Sequence, residues 1–403
     1  MFIITPPSSG FPAGSSAPRA LLLQSPRLAD GRVADILIAD GAIATVSRER
    51  TSRPLRAETL DLRDYMVLPS LVEPHAHLGM AAASGPLGAG PAVRAQAAVI
   101  RYLACGTTAV RVHVDVGDDA GLRSVQALLE VRAALPGIMD IQIVAVTPSP
   151  VTGLAGADRR ARLRYALAAG ADLAGIAPLP GDEAGRSVEA VAVVAADAGA
   201  GIDLQVGETA APGTLPRLVA VAEAGFGYPM TASHVVSLGP TMRERRHAAH
   251  SLAEADIGVV TLPRSGMVAI GRDRAASASG DLTAVRDLAE AGVPVAAGGG
   301  SRQGTADPLE TACLLLMAAR LTPTEALTAV TSAGRKIMRL RDVAIVPGAP
   351  ADLVAVRADG LASVLASGTA DRIVLRGGRV VARTQMAAEL APPELQVMSA
   401  VWN

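Results

Sequence analysis

Two histidines one residue apart, His75 and His77, close the apolar run Leu68-Pro-Ser-Leu-Val-Glu-Pro-His-Ala-His-Leu78. Side chains i and i+2 of a β-strand point to the same face, so both imidazoles project together from the strand's C-terminal end. Neutral imidazole is a common ligand for zinc-like ions, and a pair held in this way is half of a metal site. The same pair could also simply line a polar strand end. The distinction depends on whether the rest of the chain supplies further ligands. A second pair, His113 and Asp115, shares a face at the end of another apolar run and reads as a hydrogen-bonded structural pair, with His113 available to an altered site.

The elements that must carry these residues follow from periodicity. Strand-like segments fall at 71–78, 107–116, 140–148, 173–180, 201–207, 228–235, 257–263 and 293–299, each followed by an amphipathic stretch such as 119–134, 186–198 or 281–290. Eight βα units in series predict an α/β fold of the (β/α)8 TIM type, whose site lies at the C-terminal ends of the strands. Short β-rich runs bounded by Asp30-Gly31 and Asp40-Gly41 precede the barrel, and a similar pattern returns at 352–356 and 372–382. These ends are expected to form one small β-sandwich. The domain organisation expected is a disordered leader over 1–18, a composite β-sandwich from 19–68 and 342–390, a barrel over 69–341, and a tail over 391–403. The Gly- and Ser-containing linker 264–280 is a candidate lid.

Composition narrows the classes of function. Half of the 403 residues are apolar, enough for a large core, and no run approaches the length and apolarity of a membrane span. The formal net charge is −1 and no basic tract stands out, which argues against nucleic acid or an anionic membrane as partner. The two cysteines, Cys105 and Cys313, suggest neither a disulfide scaffold nor a thiolate site. The Pro-, Gly- and Ser-rich start lacks the order of an export signal, so a cytoplasmic location is expected.

Several pieces in order resemble the amidohydrolase superfamily, specifically its cytosine-deaminase-like branch. They are Val72-Glu-Pro-His-Ala-His-Leu78, Arg111-Val-His-Val-Asp-Val116, Asp140-Ile-Gln-Ile-Val-Ala145, Gly170-Ala-Asp-Leu-Ala-Gly175, Thr231-Ala-Ser-His234 and Pro347-Gly-Ala-Pro-Ala-Asp-Leu353, and the resemblance runs from Leu21 to about Arg383. It implies a divalent metal, Zn or Fe, held by the strand-1 pair, a strand-5 histidine and a strand-8 aspartate. It also implies a glutamate that shuttles protons and a strand-6 histidine beside the activated water. His75 and His77 match the pair, Glu208 the shuttle and His234 the strand-6 histidine, which is also a candidate ligand.

Two positions depart from that pattern. Asp203-Leu-Gln-Val-Gly-Glu208 puts Gln205 at the strand-5 ligand, and Ala296-Ala-Gly-Gly-Gly-Ser301 puts Gly300 where the aspartate belongs, with no carboxylate before Asp307. An amide oxygen is a poor replacement for imidazole at a borderline-soft ion, and glycine offers no ligand. The metal is therefore expected to be weakly held or absent. Ser149, near the strand-3 position that reads a pyrimidine, and Arg302, beside the Gly-rich turn, are the substrate-binding candidates. The branch's aromatic platform falls near Ala306 here, and the single tryptophan is Trp402, so cytosine is a poor fit.

Three readings follow. The first is a divergent, non-catalytic homologue that retains the fold and part of the site, with an active paralogue as a candidate partner. The second is an active hydrolase of a non-peptide C–N bond on a small polar, non-aromatic substrate, with a rearranged metal site drawing on His75, His77, His234, Glu208 and His113. The third, more distant, is a metal-independent catalyst using Glu208 and His234 as an acid–base pair. A homo-oligomer is expected for any of them.

Overall fold

The computed structural model describes residues 20–48, 57–77, 90–177, 183–206, 213–235, 238–239, 241–264, 278–300, 307–319, 321–367 and 371–385. The expected leader, the tail and all but the ends of the candidate lid lie outside these residues.

The chain enters through short strands β1 (Leu21–Gln24), β2 (Arg27–Leu28), β3 (Asp35–Ala39), β4 (Ala42–Ser47), β5 (Glu58–Asp61) and β6 (Tyr65–Pro69). Barrel strands and helices then alternate: β7 (Leu71–Ala76), α1 (Pro91–Ala104), β8 (Thr107–Asp115), α2 (Asp119–Ala134), β9 (Asp140–Pro148), α3 (Ala157–Ala169), β10 (Leu173–Ala177) and α4 (Glu183–Asp197). The alternation continues through β11 (Gly201–Gln205), α5 (Thr214–Glu223), β12 (Met230–Ser233), α6 (Met242–Glu254), β13 (Gly258–Thr261), α7 (Ala278–Glu290) and β14 (Val295–Ala297). Helices α8 (Pro308–Ala318), α9 (Pro323–Ala329) and α10 (Ser332–Ile337) follow, and β15 (Leu353–Arg357), α11 (Leu361–Ser367), β16 (Arg372–Arg376) and β17 (Arg379–Thr384) end the described chain.

Strands β7 to β14 form one parallel sheet of eight, in chain order. This is the TIM-type barrel expected from the βα alternation, and each barrel strand lies within its expected range. Its strands are covered on both faces, so their sequences are near-continuous apolar runs with a few inward polar residues. The main core lies between the strands and helices α1 to α7, built from residues such as Val110, Ile143, Leu163, Val191, Ile202, Leu218, Leu252 and Leu288.

Two smaller sheets stand beside the barrel, ordered β4-β3-β1-β5 and β17-β16-β15-β6-β2. The second joins the two ends of the chain: β15 pairs antiparallel with β6, matching Val354 to Leu68 and Ala355 to Val67. Both sheets contribute to one core, in which Leu23, Ile36 and Ile38 pack with Val67, Leu353 and Leu375. The small sandwich formed from both chain ends is therefore present.

Inside the barrel a buried arginine forms a floor. Arg111 of β8 donates through Nη1 to Asp203 Oδ2 at 2.8 Å and Thr231 Oγ1 at 2.9 Å, through Nε to Gln142 Oε1 at 3.1 Å, and through Nη2 to the Ile337 carbonyl at 3.2 Å. Arg111 and Asp203 are 1% and 0% exposed, so the ion pair is fully desolvated and is maintained by these further bonds.

A second arginine, Arg335 of α10, lies at the opposite end from the histidines. It donates to Ser70 Oγ at 3.2 Å, Thr108 Oγ1 at 3.0 Å and the Arg341 carbonyl at 3.2 Å. Arg376 adjoins it, binding Asp352 at 2.6 Å and Asp140 at 2.8 Å. This network fastens β16 to the bottom of the barrel.

Candidate metal and substrate site

Four of the chain's six histidines meet above the Arg111 floor. His75 is the inward residue of β7 two positions after Glu73, and His77 follows two positions later, past the ladder's end. His113 points inward from β8, two residues beyond Arg111. His234 follows β12 directly, with φ +57, a left-handed conformation that turns the chain as the strand ends, and its N–H donates to the Val260 carbonyl at 3.1 Å. The remaining histidines, His247 and His250, sit exposed on α6 as their polar context suggested.

The geometry at the mouth is close. His75 Nε2 and His77 Nε2 are 3.2 Å apart. The His234 ring stands edge-on to His75 at 5.0 Å between centroids. One nitrogen from each of His75, His77 and His234 lies within 4.8 Å of the others. Burial, together with the neighbouring His113, His77, His234 and Arg111, holds the His75 pKa well below the usual imidazole value, so His75 is neutral.

This arrangement fits a divalent ion. Two nitrogens bound at zinc-like distances in a tetrahedral site lie about 3.3 Å apart, close to the His75–His77 separation, and only neutral imidazole can ligate. Unsatisfied atoms point the same way, since His75 Nδ1, both nitrogens of His113 and Gln205 Nε2 are buried without a hydrogen-bond partner among the described residues. Buried polar groups in folded proteins are rarely left so, and a cluster of them marks a place where a ligand belongs.

A second grouping, His75, His113 and Asp203, is equally compact but suits an ion poorly. The His75 and His113 rings are stacked, 3.7 Å between centroids at 28°. Stacked rings aim their in-plane lone pairs side by side instead of toward one point. Asp203 is also occupied, by Arg111 on Oδ2 and by the Ser233 hydroxyl at 2.8 Å on Oδ1. His113 therefore supports His75 from beneath. Its acidic neighbour is Asp203, with Nε2 3.3 Å from Oδ1 but outside hydrogen-bond alignment. The pairing with Asp115 expected from the sequence does not form: Asp115 is exposed and accepts from the Gly117 N–H. Burial works to raise the Asp203 pKa, but His113, Arg111 and Ser233 outweigh it and bring it to about 2.

Glu73 is a component that the sequence did not single out. Its carboxylate, 1% exposed, accepts from the His75 N–H at 2.9 Å and the Gly299 N–H at 2.9 Å. Burial pushes its pKa up to about 7, against those two N–H bonds. Through Glu73 the end of β14 is tied to β7, the two strands that no ladder joins. A Cβ on Gly298 would lie 2.7 Å from Glu73 Oε1 and 3.2 Å from His75 Cβ, so glycine is required there. A glutamate inside an apolar strand, facing a Gly-Gly-Gly strand end, is the signal that could have revealed it.

The other expected site residues are placed as follows. Gln205 ends β11 on the face of Asp203, one level nearer the mouth, and registers with Ser233 beside His234. Gly300 has φ +57 and offers no side chain. Asp307 does not turn toward the histidines, because it caps α8 and is held by Arg372 at 3.0 Å. The Ser149 hydroxyl hydrogen bonds to Ser187 Oγ of α4 at 3.2 Å. Glu208 and Arg302 lie outside the described residues.

An eight-stranded parallel barrel with imidazoles gathered from its first, second and sixth strands is the architecture of the metal-dependent hydrolase class. No family profile matches the sequence. A pterin deaminase from Rhizobium rhizogenes is 30% identical over 394 residues, covering 87% of this chain and 88% of the relative. The crystal structure of N-isopropylammelide isopropylaminohydrolase from Burkholderia multivorans superposes with a TM-score of 0.76 at 29% identity, covering 91% of this chain and 99% of that one. The 5-methylcytosine deaminase of Klebsiella pneumoniae shares the fold, with a TM-score of 0.76 at 21% identity over 93% of this chain and 100% of that one. The chain belongs to the amidohydrolase superfamily, in its cytosine-deaminase-like branch.

Proposed function

We propose that the protein hydrolyses a non-peptide C–N bond of a small polar molecule, using a divalent ion, Zn or Fe, held by His75, His77 and His234. The observation that carries this reading is the convergence of those three imidazoles, with ligand atoms within 4.8 Å of one another and His75 kept neutral. Three histidines with one position left for water is an established arrangement for a catalytic zinc ion. Such an ion, when bound, acidifies water and polarises the bond to be cleaved. In this reading Glu208 carries the proton from the water to the leaving nitrogen. His113, stacked on His75, fixes the orientation of that ring. Ser149 and Arg302 are the residues assigned to substrate contact, and Gln205 faces the substrate with its amide. The relatives' names add support, since all three act on C–N bonds.

Two measurements test it: metal content of untagged protein, and ammonia or amine release from a panel of amino-heterocycles and cyclic amides. Near-stoichiometric Zn or Fe with turnover lost in His77→Ala is the expected result. Metal-free protein that stays inactive after adding Zn or Fe would sink it.

Gln205 and Gly300 favour a second reading, in which the chain is a non-catalytic homologue that binds a small molecule or an active paralogue. Metal uptake without turnover of any panel member would favour that one.

A further inference from the structure

The charge around the site implies the class of ligand. A divalent ion held by three neutral imidazoles keeps its full double charge, whereas the branch's usual set, with a strand-8 aspartate, leaves a single one. Among the described residues the buried carboxylates around the histidines are already engaged, and Asp115 is turned outward to the Gly117 N–H. Asp203 has both oxygens engaged and its charge is offset by the buried Arg111. Glu73 is turned to the backbone N–H groups of His75 and Gly299. Asp307 is held by Arg372. At the two positions where ligands are missing, the chain offers a glycine at 300 and, at 205, an amide whose buried Nε2 donor has no partner.

An excess positive charge among buried side chains, beside an N–H donor without a partner among the described residues, is complementary to an anion. We propose that the site selects a ligand bearing a negatively charged oxygen or nitrogen, which binds at the ion's open position and accepts a hydrogen bond from Gln205 Nε2. This inference rests on the three-histidine reading of the site. In this arrangement Gln205 determines specificity: it is neutral where a histidine would ligate, and it contributes a donor where a carboxylate would repel.

The test uses the full-length protein loaded with cobalt, whose visible absorption reports the ligands around the ion. Acetate and acetamide, alike in shape and different in charge, are titrated into the wild type, with azide as a second anion. Acetate is expected to bind about tenfold or more tighter than acetamide, because one unit of charge separates them beside the ion. Gln205→Glu and Gly300→Asp, each placing a carboxylate at the ion, are expected to weaken acetate and azide by about tenfold or more while retaining cobalt against a chelator. Gln205→Met, which removes the donor but adds no charge, is expected to weaken the anions by only a few-fold. Cobalt uptake with equal affinity for acetate and acetamide would overturn the inference while leaving the three-histidine site standing. Failure to take up cobalt would remove that site and the inference with it. The acetate–acetamide comparison in the wild type decides the matter even where a variant does not fold.

Discussion

The mouth of the barrel and the buried networks beneath it treat polar groups in opposite ways. At the floor and the bottom, Arg111 and Arg335 spread their donors over carboxylates, hydroxyls and carbonyls drawn from distant parts of the chain. At the mouth, one or two residues away, His75, His113 and Gln205 hold four of the seven buried side-chain atoms that lack a partner among the described residues. The Arg111 network is complete without a ligand and serves stability, and of the Arg335 donors only Nε lacks a partner among the described residues. The upper cluster presents buried donors and acceptors that a bound group would satisfy.

The sharpest way to break this contrast is at the floor. Arg111→Met leaves Asp203 buried with its cation gone, and unfolding by urea or heat should reveal a loss of about 3–5 kcal/mol. A loss under about 1 kcal/mol would mean the floor is not what holds the strands together. Gly298→Ala comes next: its Cβ meets Glu73 and His75, and overpacking of this kind costs about 1–3 kcal/mol. Because it displaces both the seam and His75, a proposed ligand, zinc affinity measured by chelator competition should fall with it.

At the mouth the sign should reverse. Gln205→Met removes an unpaired buried amide while keeping the volume, so the metal-free protein should gain about 1 kcal/mol, read from the denaturant midpoint. A net loss would indicate that Gln205 already has a partner. His247→Ala and His250→Ala, on the exposed face of α6, should stay within about 0.5 kcal/mol of the wild type and leave metal uptake unchanged.

Local spacing explains which parts of this site could be read in advance. His75 and His77 obey the strand period, and each barrel strand is a compact apolar run bounded by turn residues, so the strands and the paired histidines were both visible. His234 was legible through the family pattern. The partnership of His113 was not, because it crosses the barrel interior from β8 to β11, and no one-dimensional spacing encodes which inward residues meet there. Asp115 lies on the right face by period but beyond the buried part of β8, where it turns to Gly117. Glu73 was hidden for a similar reason: its partner, Gly299, is 226 residues away and joins it only when the sheet curls round. Most of the candidate lid, Glu208 and Arg302 fall outside the described residues.

The backbone at His234 shows what the site asks of its scaffold. A left-handed conformation at a side-chain-bearing residue costs about 1–2 kcal/mol, which glycine would avoid. A glycine at that corner would relax the turn and silence the sixth strand's contribution to the mouth in the same step. Robustness and recognition are therefore in direct competition at a single residue, and a search for more heat-resistant versions of this chain would tend to drift toward proteins that keep the barrel and lose its purpose.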